Sequence, residues 1–146
     1  MRSKVKRVKT SMKVIIAGSR SITNYNLVSS IIDKAGFAIT EVVSGCARGV
    51  DSLGERYARE HNISIKHFPA KWDTFGKSAG MIRNKEMAYY ADALIAIYKD
   101  NSKGTLDMIE RAKKVGLAVY EVEVFGKDRI INYFSSRKKL ADRICF

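Results

Sequence analysis

The stretch Ala38-Ile-Thr-Glu-Val-Val43, followed by Ser44-Gly-Cys-Ala-Arg-Gly-Val-Asp51, decides how this chain folds. Its first six residues are β-branched and apolar enough to read as a strand. The next eight hold five small residues, one arginine and one acid. Val50, Leu53, Tyr57 and Ala58 then recur at helical spacing through Glu60. A strand, a small-residue turn and a helix make a place where backbone can approach a ligand closely. The helix aims unpaired N–H groups and the positive end of its dipole at that place. Phosphate is its usual biological occupant.

Similar units lie on either side. Lys13-Val-Ile-Ile-Ala-Gly18 reads as a buried strand and Gly18-Ser-Arg-Ser21 as its turn. Thr23 or Asn24 can cap a helix carrying Leu27, Val28, Ile31, Ile32 and Ala35 inward, with Gly36 as its stop. Ile63–Phe68 alternates like a third strand, closed by Pro69, and residues 70–78 form a long exposed connection carrying Trp72. A helix follows over about Met81–Tyr90, then the fully apolar strand Ala93–Tyr98. Lys99-Asp-Asn-Ser-Lys-Gly-Thr105 is the next turn, and Leu106, Ile109 and Ala112 mark a helix ending near Gly116. Leu117–Val124 supplies a fifth strand. Asp128–Leu140 is expected to be helical, with Ile130, Ile131 and Phe134 inward.

Alternating strands and helices mean an α/β fold with a mainly parallel sheet and helices on both faces. One domain over residues 13–146, preceded by a basic arm at residues 1–12, accounts for the length. Ligands of such sheets bind beyond the carboxyl ends of the strands, where strand order reverses. The glycine-bearing turns fall at that edge.

Charge is the unusual part of the composition: 27 Lys and Arg against 15 Asp and Glu, a net +12. Arg2, Lys4, Lys6, Arg7, Lys9 and Lys13 meet no acid in the first 13 residues, and Arg137, Lys138, Lys139 and Arg143 load the other end. These ends read as solvated arms or as nucleic-acid contacts. No apolar run approaches the ~20 residues of a membrane span, and the N-terminus lacks the apolar core of a secretory signal. Two cysteines, Cys46 and Cys145, make no disulfide framework in a chain this long. A cytoplasmic protein is expected, with no cofactor, no membrane partner and a possible homo-oligomer.

The candidate site residues sit in the turns. Gly18, Ser19 and Arg20 offer a bend, a hydroxyl and a guanidinium; Ser44, Gly45, Arg48 and Gly49 offer the second anion cradle. Asp51 reads either as a helix cap or as an acceptor for a ribose hydroxyl. Gly76-Lys-Ser-Ala-Gly-Met-Ile-Arg-Asn84 adds Lys77, Gly80, Arg83 and Asn84. Gly104 and Thr105 open the helix after the fourth strand, and Trp72 can stack on a base or anchor its connection. Cys46 reads as a small-residue slot more readily than as a nucleophile. No sequence spacing marks a metal site.

Lys13–Arg20, Ser44–Asp51, Phe68-Pro-Ala-Lys-Trp72 and Gly76–Asn84 with Met87, in that order, resemble the YspA-type branch of the SLOG superfamily. That superfamily also includes DprA and the lysine-decarboxylase-like (LOG) phosphoribohydrolases. The resemblance covers roughly residues 13–122 and implies a Rossmann-like domain holding a nucleotide-type small molecule, its phosphate in the turns and its base over a nearby side chain. The LOG enzymes cleave the N-glycosidic bond of nucleoside 5′-monophosphates, and their Arg-x-x-x-Met segment matches Arg83 through Met87. Of their Pro-Gly-Gly-x-Gly-Thr-x-x-Glu motif, Gly104 and Thr105 match, while Asp100, Asn101 and Ser102 replace Pro-Gly-Gly and Met108 stands at the glutamate's place. Asp107 and Glu110 are the neighbouring carboxylates, so Arg83, Asp107 and Glu110 are the candidate catalytic set. A nucleotide-binding sensor or sequestering module is the function expected first. A nucleotide N-glycosidase or deoxyribosyltransferase-like enzyme and a single-stranded-DNA-binding protein are the alternatives.

Overall fold

The computed structural model of the protein describes residues 11–126, together with the strand at residues 129–135 as backbone. Five strands run parallel: β1 (Met12–Gly18), β2 (Ile39–Ser44), β3 (Ser64–His67), β4 (Ala93–Tyr98) and β5 (Ala118–Phe125). A sixth, β6 (Arg129–Ser135), pairs antiparallel with β5. The order across the sheet is β3-β2-β1-β4-β5-β6, so the chain reverses its direction of winding between β1 and β4.

Alternation along each strand splits the core in two. Val14 and Ile16 of β1 and Ile95 and Ile97 of β4 face one cluster, which holds Val28, Ile31 and Ile32 of α1 (Tyr25–Ala35) and Val50 and Tyr57 of α2 (Val50–Glu60). Ile15 and Ala17 of β1 and Leu94 and Ala96 of β4 face the other. That second layer is completed by Met87 and Ala88 of α4 (Ala79–Tyr90) and Met108, Ile109 and Ala112 of α5 (Lys103–Lys114). Every residue of β4 is buried, as a strand covered on both faces requires. The Rossmann-like α/β arrangement expected from the sequence is the one observed.

Local chemistry sets several boundaries. Asn24 caps α1 by accepting the Leu27 N–H at 3.0 Å, and Gly36 ends it in the left-handed region at φ 72°. Three sequence expectations are corrected. The connection before α4 is largely helical, comprising the one-turn α3 (Trp72–Phe75) and a 3-10 turn at Gly76–Ser78. Helix α5 begins at Lys103, and it buries Met108 rather than Leu106, which is exposed.

The expected helix at Asp128–Leu140 is instead strand β6 over Arg129–Ser135; residues 136–140 lie outside the described residues, as do Cys145 and residues 1–10 of the arm expected over residues 1–12, whose Met12 already belongs to β1. The physical reason is pairing. Without β6 the long strand β5 would leave its backbone groups unpaired at an edge, and the β-branched and aromatic run Ile130-Ile-Asn-Tyr-Phe134 suits a strand as well as a helix. Gly126, at φ 57°, turns the chain back. No described helix is long and apolar enough to cross a membrane.

Candidate functional site

The turns after β1, β2 and β4 and the entry to α4 meet at one rim of the sheet, at the reversal between β1 and β4. A cleft of about 580 Å³ opens there. Two glycines permit the close approach. A Cβ on Gly18 would lie 1.9 Å from the Ile97 carbonyl oxygen, and one on Gly49, already at φ 77°, would lie 2.3 Å from the Ser19 carbonyl oxygen. Ser19 ties the turns together. Its Oγ accepts the Lys99 N–H at 3.0 Å and lies 3.1 Å from Ser102 Oγ, which donates in turn to Thr105 Oγ1 at 3.1 Å. Its carbonyl accepts the Val50 N–H at the start of α2.

With the Ser102 hydroxyl engaged in that chain, α5 has no side-chain cap at its N-terminus. Lys103, Gly104 and Thr105 of its first turn line the cleft. Backbone N–H groups and the positive dipole end are therefore presented to it. Arg20, Lys77, Arg83, Lys99 and Lys103 add positive charge against the carboxylates of Asp51, Asp100 and Asp107.

Asp51 lies inside the first turn of α2, where Gly49 holds the cap position, so it is not the helix cap. It lines the cleft, is only 6% exposed and accepts the Ala47 N–H at 3.2 Å. Burial pushes its carboxyl above the usual carboxylate range. The Ala47 N–H, the Arg83 charge and the Gly18 N–H pull the other way. Ser44 is fully buried and faces away from the cleft, donating to Glu55 Oε2 at 2.5 Å and accepting the Cys46 N–H at 3.1 Å.

Arg83 is engaged rather than idle. Nη1 donates to the Gly45 carbonyl and Nε to Asn84 Oδ1 at 3.0 Å. A side chain on Gly45 would collide with this guanidinium, 2.6 Å from Nη1. Asn84, buried, donates through Nδ2 to the Gly104 carbonyl at 3.2 Å and to Asp107 Oδ2 at 2.9 Å. Arg111 Nε reaches the same carboxylate oxygen at 2.9 Å. A continuous polar chain thus runs from the β2 turn through α4 to α5.

A second hollow, about 470 Å³, lies beside the first and is lined by Gly45, Cys46, Arg48 and Pro69. Arg20, Trp72 and Arg83 line both, so they form the wall between them. Trp72 is 51% exposed, and its ring covers Gly80, where an added Cβ would lie 3.4 Å from Cη2.

Of the residues singled out from the sequence, Gly18, Ser19, Arg20, Asp51, Trp72, Lys77, Gly80, Arg83, Asn84, Gly104, Thr105 and Asp107 line the first cleft, while Gly45 and Arg48 line the second. Ser44, Gly49 and Glu110 line neither; Glu110 points outward from α5 and is exposed. Lys99, Asp100, Asn101, Ser102 and Lys103 also line the cleft, though the sequence pattern points only to Gly104 and Thr105 of that turn as ligand contacts. Asp100 sits at φ 54°. Partial desolvation and then the Glu55 charge push the thiol of the exposed Cys46 above its usual range.

Comparison with known proteins agrees with this architecture. Residues 12–75 match the YAcAr family, described as the YspA, cpYpsA-related SLOG family. The chain is also 31% identical over 117 residues to the Gene 61 protein of Mycobacterium phage D29, an alignment covering 73% of this chain and 93% of that protein. With its glycine turns gathered at the switch point of a parallel sheet, the chain belongs to the YspA-related SLOG family.

Proposed function

We propose that the protein binds a nucleotide or nucleotide-derived phosphate ligand in the 580 Å³ cleft, acting as a sensor or sequestering module. One observation carries this reading: the uncapped first turn of α5 opens into the same hollow as Arg20, Lys77 and Arg83, at the point where strand order reverses. Backbone N–H groups of that turn and the cations hold the phosphate. Asp51 accepts from a ribose hydroxyl, and Trp72, exposed between the two hollows, stacks on the base. Membership of the SLOG family supports a nucleotide-related role.

Binding is favoured over cleavage of the N-glycosidic bond. Met108 stands at the glutamate's place in the phosphoribohydrolase motif and is buried, and Asp107 Oδ2 is already held by Asn84 and Arg111. A carboxylate that must stabilise an oxocarbenium-like centre or orient water needs to face the sugar.

The test is a thermal-shift panel of nucleoside mono-, di- and triphosphates, dinucleotides and inorganic phosphate. A ligand at 100 times its Kd adds about 2.7 kcal/mol of stability. For a chain of this size that is roughly 5–10 °C in Tm. Arg20→Ala, at an exposed position, should leave the unliganded Tm unchanged and abolish most of the shift. A flat panel, or an Arg20→Ala variant that responds like the parent, refutes the reading. Release of free base from a nucleoside monophosphate would instead establish the enzyme.

A further inference from the structure

On the β2–β3 side of the rim, three side chains from separate parts of the chain converge. Cys46 lies in the turn after β2, Glu55 on α2 and His67 at the end of β3. A thiol sulfur, a carboxylate oxygen and an imidazole nitrogen, one from each, lie within 4.8 Å of one another. We propose that Cys46, Glu55 and His67 bind a thiophilic divalent cation, zinc foremost.

The donor set and spacing support this. Zinc takes thiolate, imidazole and carboxylate ligands at about 2.0–2.3 Å, which puts neighbouring ligand atoms of a tetrahedral site about 3.3–3.8 Å apart. His67 Nε2 already stands 3.7 Å from Glu55 Oε1. The thiol sulfur lies within 4.8 Å of the other two ligand atoms and so has about 1 Å or less to close, within reach of side-chain rotation because Cys46 and His67 are both exposed. Glu55 is also pre-oriented. Ser44 Oγ holds Oε2 at 2.5 Å, which leaves Oε1 turned toward His67, as an outer partner does for a ligating carboxylate. Arg59 Nη1, 3.9 Å from Oε1, is largely solvent-exposed and swings clear when a cation arrives.

The backbone supplies an independent observation. Cys46 sits at φ 66°, a left-handed conformation that glycine adopts without strain and cysteine does not. Non-glycine residues held this way cluster at functional sites. The turn thus keeps a cysteine at a strained backbone position, with its sulfur within 4.8 Å of two further metal-ligand types. Coordination replaces the Sγ–H proton, which passes to solvent, with a sulfur–metal bond. Three protein ligands leave a fourth position open. Since Cys46 also lines the hollow bounded by Arg20, Arg48 and Arg83, that position borders it and takes water or a small anion.

The experiment uses the full chain with Cys145→Ser, so that Cys46 is the sole thiol. Titration with Co(II) should produce a thiolate-to-cobalt charge-transfer band that saturates at one ion per chain and disappears when zinc displaces the cobalt. Zinc should also protect Cys46 from alkylation. Cys46→Gly relieves the strained φ and therefore folds; it should abolish the band. Zinc affinity should fall about 10-fold or more in Ser44→Ala, which removes the outer partner of Glu55 together with the acceptor of the Cys46 N–H, and further in His67→Gln. His61→Gln is the control and should bind as the parent does. Absence of the band, unchanged zinc affinity in Cys46→Gly or His67→Gln, or an equal loss in His61→Gln overturns the proposal.

Discussion

Replacing Arg83 with methionine removes a cation that faces the buried Asp51 while retaining most of the apolar stem. The guanidinium donates to the Gly45 carbonyl and to Asn84 Oδ1. Hydrogen bonds from a charged donor contribute about 1.5–3 kcal/mol each, and the half-buried position of Arg83 points to the lower end, so the two together amount to about 3 kcal/mol. Asp51 adds a pH-dependent part. Burial already holds its carboxyl above the usual range, and loss of the Arg83 charge raises it further. A carboxyl whose folded pKa exceeds its unfolded value keeps its proton better in the native state, so stability falls as pH rises through that interval. The deficit of Arg83→Met relative to the parent is therefore greatest at neutral pH. It shrinks as pH falls and Asp51 becomes protonated in both proteins. At neutral pH the expected loss is about 3–4 kcal/mol, or roughly 6–15 °C in Tm. Thermal and urea melts from neutral pH down through the carboxylate range measure it, with Asp51→Asn in both backgrounds expected to flatten the pH dependence of the deficit. A loss below about 1 kcal/mol, or a deficit equal at every pH, refutes the reasoning.

Gly49→Ala should cost more than Gly76→Ala: both sit at positive φ with ψ of -131° and -133°, a conformation that strains any other residue by about 1–3 kcal/mol, and only Gly49 adds a collision with the Ser19 carbonyl, which brings its cost to about 3 kcal/mol or more. Equal losses in chemical denaturation would contradict the close approach of the two turns. Ser19→Ala leaves the Lys99 N–H without its acceptor and should cost about 1–3 kcal/mol, seen as lost hydrogen-exchange protection at Lys99. Asn24→Ala removes the cap of α1 and should lower stability by about 1 kcal/mol in urea melts. Trp72→Ala, at a half-exposed position, should leave Tm nearly unchanged yet weaken nucleotide binding by about 1–3 kcal/mol in calorimetry.

Much of the fold is legible in residue order alone. The β-branched apolar run Val14–Ala17 ended by Gly18, and the helical stripe Val28-Ile31-Ile32, are local patterns, and local patterns name strands and helices. Gly36 and Asn24 mark their helix ends because capping is settled within a few residues. The turns of the candidate site are legible for the same reason: Gly18 and Gly49 stand where backbone packs on backbone.

What needed the tertiary structure involves partners far apart in sequence. Residues 129–135 carry a run compatible with either element, and the β5 edge makes it a strand. Asp107 and Glu110 are near neighbours on α5, yet the direction in which the helix packs turns the first toward Asn84 and the second to solvent. Arg83 reads from the sequence as a cation for a ligand, but its hydrogen bond to Gly45 arises from the approach of helix α4 to the β2 turn, 38 residues away. Cys46, Glu55 and His67 share no motif spacing, and only the pairing of β2 with β3 under α2 brings them together. Hydrophobic period and turn chemistry are properties of short stretches, so one chain can declare them unaided. Which side chains meet depends on sheet order and helix facing, which are set by burial over the whole molecule.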